Sequence, residues 1–161
     1  MTRDEREETG MAPQLEFVCT LVVKLGPARE LGACASGTRR IIPIVGGSAS
    51  GPRLQGRVLG IGADWQTVDH HGVAQLDARY AIETDDGAII EVQSRGMRHM
   101  APEVARRFDR GEPVAPAEYY MRTAIRFDTG HADYAWMAKS LFIAIGGKAG
   151  ATVTLAVHRV G

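Results

Sequence analysis

From Leu15 onward, polar and apolar positions alternate in short runs bounded by Gly, Pro, Asp and Ser. A period of two places successive side chains on opposite faces, the pattern of a half-buried strand. "LEFVCTLVVKL" (15–25) sets Phe17, Cys19, Leu21 and Val23 against Glu16, Val18, Thr20 and Val22, and it is rich in β-branched residues. "GPARELGACASGTR" (26–39) reads as a Gly/Pro/Ser-rich connection. "RRIIPIVGG" (39–47) reads as a short strand whose Pro43 confines it to an edge, a bulge or a strand end. "RLQGRVLGIG" (53–62) reads as a strand with Gly56, Gly60 and Gly62 on one face, which suggests a sharp bend or close approach by another backbone.

The clearest element is "VAQLDARYAIETDDGAIIEVQSRG" (73–96), two alternating runs around Asp86-Gly87, a tight hairpin signal. "APEVARRFDRG" (101–111) is the one good helix: Pro102 suits its first turn, Val104 and Phe108 are i,i+4 partners, and Gly111 stops it. Strands follow over 117–130 and 151–160. "YAWMAKSLFIAIGG" (134–147) fits either period, and its neighbours favour strand. The reading totals about eight strands and one short helix. No βαβ rhythm occurs, so a parallel sheet is disfavoured. Consecutive antiparallel strands of this number close into a barrel or stack as a sandwich. The Gly-rich strand 53–62 suits a barrel corner, so the expected fold is all-β: an antiparallel β-barrel over residues 13–161. Residues 1–10 carry six charges and no periodicity, and residues 1–12 read as a disordered tail.

Composition narrows the functional classes. Length fits one domain of 161 residues that needs no disulfide or metal to hold its core. Lys plus Arg and Asp plus Glu both number 19, a balance that argues against non-specific nucleic-acid binding and against binding to an anionic membrane. No apolar run approaches the roughly 20 residues that span a bilayer. The charged N-terminus lacks the apolar region of a signal peptide. The two cysteines, Cys19 and Cys34, imply no disulfide framework, and a cytoplasmic setting with free thiols is the plainer expectation.

Motif chemistry is sparse. His70 and His71 are adjacent, His99, His131 and His158 are scattered, and neither HxH nor CxxC occurs, so no metal site is expected. "GGSASG" (46–51) lacks the Lys-Ser/Thr of a phosphate loop, and no GxGxxG opens a helix. There is no GxSxG, and Cys19 sits in an apolar strand where a thiol is usually inert.

What remains is a polar and aromatic set on strands. Asp64 and Trp65 end one, Asp77 and Tyr80 lie on the next, "YYMRT" supplies Tyr119, Tyr120, Arg122 and Thr123, and "YAW" supplies Tyr134 and Trp136. Carboxylate, phenol and guanidinium suffice for general acid–base work and for stabilising developing negative charge. From spacing alone, an Asp–Arg ion pair with core aromatics is the simpler account. Parity places Asp77 and Tyr80 on opposite faces, and Tyr120 with Arg122 opposite Tyr119 and Thr123.

Taken in order, "RIIPIVGG", "GPRLQGRVLGIGADWQ", "DARYAIETDDGAII", "EYYMRTAIRFDTG" and "YAWM" resemble the domain-of-unknown-function 3237 family over about residues 13–160. The resemblance implies a compact antiparallel barrel with a cavity, often oligomeric. Some members look like cyclases that close an oxygen ring by adding a hydroxyl across an alkene with no cofactor. The family-like positions here are Asp64, Trp65, Asp77, Tyr80, Tyr120, Arg122, Thr123, Thr129 and Trp136. Ala138 departs from the Asn common in the family.

The reading is therefore a small-molecule enzyme without cofactor or metal. Asp64 is the expected general base, with Tyr80 and Arg122 stabilising charge or returning the proton. Trp65, Asp77, Tyr120, Thr123, Thr129 and Trp136 are the expected substrate contacts. The partners expected are a small-molecule ligand or substrate and further copies of the chain in a homo-oligomer, with no nucleic acid and no membrane. A non-catalytic barrel binding a small hydrophobic ligand, and a structural oligomeric domain, are the alternatives.

Overall fold

A computed structural model describes residues 12–161. The tail expected over residues 1–12 falls almost wholly outside them. The strands are β1 (Leu15–Leu25), β2 (Arg29–Cys34), β3 (Gly37–Ser50), β4 (Gly56–Val58), β5 (Gly62–Val68), β6 (Ala74–Thr84), β7 (Ile89–His99), β8 (Tyr120–Asp128), β9 (Leu141–Ala149) and β10 (Thr152–Val160). Among the described residues, one α-helix, α1 (Pro102–Asp109), and two 3-10 helices (Pro116–Glu118 and Ala132–Lys139) interrupt them.

Every pairing is antiparallel, and the sheet closes through β1 on β3. The ring has eight positions: β1, β10, β9, β8, β7, β6, a position shared by β4 and β5, and β3. The fold is thus the antiparallel barrel that the alternation predicts. β2 lies outside the ring, paired with the first half of β3.

Four elements differ from the sequence reading. Residues 29–34, read as connection, form β2, because β3 is longer than its apolar stretch and carries a hairpin partner past the barrel wall. Pro43 lies inside β3, paired with Ala63 of β5, but on its other side pairing lapses: the β2 register ends at Ile41, the β1 register begins at Ile44 beside a register shift, and the Pro43 carbonyl accepts the Gly26 N–H (2.8 Å). The ladder therefore loses nothing to the missing N–H. The strand read over 53–62 is broken into β4 and β5, so Asp64 and Trp65 sit within β5 rather than ending a strand. The glycines do allow close approach: a Cβ on Gly62 would lie 2.4 Å from the Arg79 carbonyl oxygen. Finally, 132–139 is 3-10 helix, and only from Leu141 does the chain run as strand. Tyr134 and Trp136 are thus on a helical plug and not on a barrel wall.

The 73–96 hairpin forms as expected. Its turn closes with the Thr84 N–H on the Ala88 carbonyl (2.8 Å), and Gly87 takes φ +90°, so it is a three-residue loop with glycine at the left-handed position. A bulge between Phe17 and Cys19 turns both Val18 and Cys19 into the core and leaves Phe17 exposed.

The barrel interior has two halves. One end is filled with apolar side chains, including Val18, Ile90, Ile125, Phe127 and Phe142, and is stoppered by the fully buried Met137 of the second 3-10 helix. Phe127 and Phe142 meet there edge to face, with centroids 4.9 Å apart. Toward the other end the same inward rows turn polar, and α1 lies across the mouth. No helix among the described residues is long and apolar enough to cross a membrane.

Candidate functional site in the barrel lumen

Strand parity decides which side chains face the lumen. On β7 the inward row that begins with the buried Ile90 and Val92 continues through Ser94 and Gly96 to Arg98. On β3 the row of Ile44 and Ile42 reaches Arg40, and on β9 the row of Phe142, Ala144 and Gly146 reaches Lys148. β5 contributes Asp64 and Gln66, β6 contributes Ala78 and Tyr80, and β8 contributes Thr123. These side chains, with an apolar wall that includes Ile42, Leu76, Met121 and Leu155, line a cavity of about 60 Å³. An apolar cavity of about 150 Å³ is what it takes to hold benzene. A ring-sized ligand therefore requires the long lumen side chains to swing aside.

Asp64 is the carboxylate of this cavity and is 9% exposed. Its Oδ1 accepts the backbone N–H of Asp77 (2.8 Å), and its Oδ2 accepts from Gln66 Nε2 (3.4 Å). Gln66 is itself buried, and its Oε1 accepts from Arg40 Nε (2.8 Å). A chain of hydrogen bonds thus runs from guanidinium through amide to carboxylate. Burial pushes the Asp64 carboxyl above the ordinary carboxylate range, against the opposing pull of these donors and of the nearby Arg98.

Two hydroxyls complete the site. Tyr80 Oη and Thr123 Oγ1 are buried and have no hydrogen-bond partner. Burial pushes the Tyr80 phenol well up, so it stays protonated and available as a donor. Unsatisfied buried hydroxyls each cost about 1–3 kcal/mol, and both belong to residues that line this cavity.

At the mouth, the ring of Phe108 from α1 lies 4.8 Å from the Arg98 guanidinium and 5.4 Å from Lys148 Nζ. Phe108 also packs edge-on against Tyr119, whose hydroxyl accepts the Lys148 backbone N–H (2.8 Å). The helix therefore caps the polar end, with Phe108 against the two cations and the Arg107–Glu118 ion pair tying it to the first 3-10 helix.

The sequence-predicted residues separate into three groups. Asp64, Tyr80 and Thr123 come together in the lumen. Trp65, Asp77, Tyr120 and Arg122 point away from it, because each has the opposite parity to a lumen residue on its strand. Asp77 instead pairs with Arg95 on the outer wall (3.1 Å). Arg122 Nη1 donates to the Met121 carbonyl (2.9 Å), and the guanidinium covers the Tyr120 ring, which stacks on His99. The expected grouping of Asp64, Tyr80 and Arg122 is therefore corrected: Arg122 is outside the barrel, and Arg98 occupies the position facing Asp64.

Thr129 and Trp136 belong to neither group. Thr129 Oγ1 donates to the Ile89 carbonyl (2.7 Å), and Trp136 packs on Phe142 beneath Arg53 at the stoppered end. Ala138 is exposed on that same 3-10 helix and does not line the cavity. His70 and His71 sit in the β5–β6 turn, where Asp69 Oδ1 accepts the N–H groups of His71 and Val73. Among the described residues no three His, Cys, Asp or Glu side chains converge on a point.

The sequence reading missed Arg40, Gln66, Arg98 and Lys148. For Arg40, Arg98 and Lys148 the signal was parity alone, since each continues an inward apolar row beyond the point where charge suggests that the strand has left the core, whereas Gln66 was marked only by sharing the parity of Asp64 on β5.

Comparison with known proteins gives the following. The model of the family described as "Protein of unknown function (DUF3237)" matches residues 13–160. A UPF0311 protein of Rhodopseudomonas palustris is 41% identical over 152 residues, covering 93% of this chain and 99% of the relative. The crystal structure of that conserved protein of unknown function superposes with a TM-score of 0.90 at 39% identity, over 93% of this chain and 99% of the other. A beta-barrel like protein of Acinetobacter baumannii superposes with a TM-score of 0.83 at 38% identity, over 93% and 97%. The hydroalkoxylation enzyme phnH of Penicillium herquei is 33% identical over 90 residues, which is 55% of this chain and 60% of that protein.

Proposed function

The chain belongs to the DUF3237 family, and from that premise we propose that its lumen is a small-molecule site in which Asp64 moves a proton during addition of a substrate hydroxyl across a carbon–carbon double bond. The observation that carries the reading is the buried Asp64 carboxyl, held by Asp77 N–H and Gln66 in a cavity with two unpartnered hydroxyls. The partial likeness to a hydroalkoxylation enzyme supports the same reaction class.

The step balances without an oxidant or reductant. An O–H and a C=C π bond are lost, and a C–O and a C–H bond are formed. Asp64 takes the hydroxyl proton as the oxygen attacks, and the same carboxyl returns it to the alkene carbon. A carboxyl with a raised pKa suits both halves, because it holds the incoming proton more readily than an exposed one and still releases it. Tyr80 and Thr123 donate hydrogen bonds to oxygen as negative charge develops there.

The test is incubation with alkenyl phenols in D2O. The expected product has the substrate's atoms, with one deuterium on carbon where the double bond was. Asp64→Asn is expected to lower turnover by about 10²–10⁴. Turnover unchanged by Asp64→Asn overturns the role of Asp64. A compound that binds the lumen and is recovered unlabelled favours the alternative of a non-catalytic binding barrel.

A further inference from the structure

The charges of the lumen do not balance. Arg40, Arg98 and Lys148 line the cavity against the single carboxylate of Asp64. Arg98 is 7% exposed, and neither it nor Arg40 nor Lys148 makes a salt bridge among the described residues. The exposed arginines that do form ion pairs, such as Arg53, Arg57 and Arg95, pair with carboxylates on the outer surface. A buried cation ordinarily has a counter-charge, because desolvation without one is costly. Here the cations also oppose one another: burial, then Arg40, depresses Arg98, and burial, then Arg98 and Arg40, depresses Lys148.

We propose that the lumen takes a monoanionic oxygenated small molecule with an apolar body, its carboxylate or phenolate oxygen seated among Arg98, Arg40 and Lys148. The inference rests on the lumen being the ligand site, and it adds the substrate's charge. The rest of the wall sets the body: Ile42, Leu76, Met121 and Leu155 offer only apolar contact, which a free inorganic anion would leave unused. The planar donor forks of Arg98 and Arg40 match two-oxygen or planar oxyanions, while Lys148 supplies a point charge. Phe108 lies against Arg98 and Lys148 at the mouth, so the anion enters by displacing a ring that already rests on its two cations.

Calorimetric titration of the full chain with benzoate and with its neutral isostere benzamide tests this. Benzoate is expected to bind at least about tenfold more tightly. Arg98→Met is expected to remove most of that difference, and Lys148→Met provides the same readout should Arg98→Met fail to fold. Equal affinity for the two probes overturns the inference and leaves a neutral ligand site in the lumen. A preference for benzoate that survives both Arg98→Met and Lys148→Met also overturns it, since the anion then binds elsewhere. If neither probe binds at millimolar concentration, the lumen is not a site for ring-sized ligands, and both this inference and the proposed function fall.

Discussion

The carboxylate of Asp64 takes the place of a backbone acceptor for Asp77: Oδ1 receives the Asp77 N–H at 2.8 Å. Pairing of β5 with β6 runs through Asp64 opposite Ala78, lapses at Trp65 and Gln66, and resumes at Thr67 opposite Gln75. The lapse leaves an N–H free to hold a lumen carboxylate in one orientation. Asp64→Asn keeps an oxygen acceptor for that N–H, whereas Asp64→Ala strands it. The alanine variant is therefore expected to be about 1–3 kcal/mol less stable than wild type, with the asparagine variant much closer to wild type. Urea unfolding of the two variants checks this, and equal losses would show that the N–H finds another partner.

Arg122 offers the converse case. Its guanidinium lies over Tyr120 on the outer wall. Arg122→Ala is expected to cost less than about 1 kcal/mol and to leave lumen binding as in wild type. Benzoate titration of this variant beside Arg98→Met separates the two arginines directly. Loss of binding in Arg122→Ala would mean that the outer wall contributes to the site.

The barrel was legible because alternation survives in nearly every strand, and Asp64, Tyr80 and Thr123 were legible as its polar residues. The same period of two already placed Asp77 opposite Tyr80 and Arg122 on the face away from Thr123. What it did not show was which face is the lumen, since polar residues occupy both. Arg98 settles that on β7 through Ile90, Val92 and Ser94, but the strand read from sequence stopped at Gly96, two residues short. Trp136 was misplaced for a different reason. An apolar run that fits both periods gives no local sign of the break at Ser140, and the 3-10 helix before it buries Met137.

That plug makes a third prediction. Met137 is fully buried at the stoppered end, and the packed apolar half separates it from the polar cavity. Met137→Ala is expected to destabilise the fold by about 2–5 kcal/mol through the cavity it leaves. Ligand affinity at the opposite end is expected to hold. A stability loss below this range would indicate that the helix collapses onto the gap, and a large change in affinity would show that the two halves are coupled.

The fourth prediction concerns acid. Asp86 accepts from the Thr84 hydroxyl and from Tyr134 Oη (2.9 Å), which ties the β6–β7 turn to the plug. The Thr84 hydrogen bond, followed by that of Tyr134, holds the Asp86 carboxyl below its ordinary range. The unfolded chain then binds its proton first as pH falls, so this contribution to stability is complete above the unfolded value and fades as pH drops through the folded one. Asp64 has the opposite sign: its raised pKa makes stability fall as pH rises from the unfolded value to the folded one. Melting temperature between about pH 6 and pH 2 separates them in single variants. Asp86→Asn is expected to flatten the acid-side decline, and Asp64→Asn to deepen it, because the term that opposes acid unfolding is lost. A profile unchanged by Asp86→Asn would show that the turn is not tied to the plug through this carboxylate.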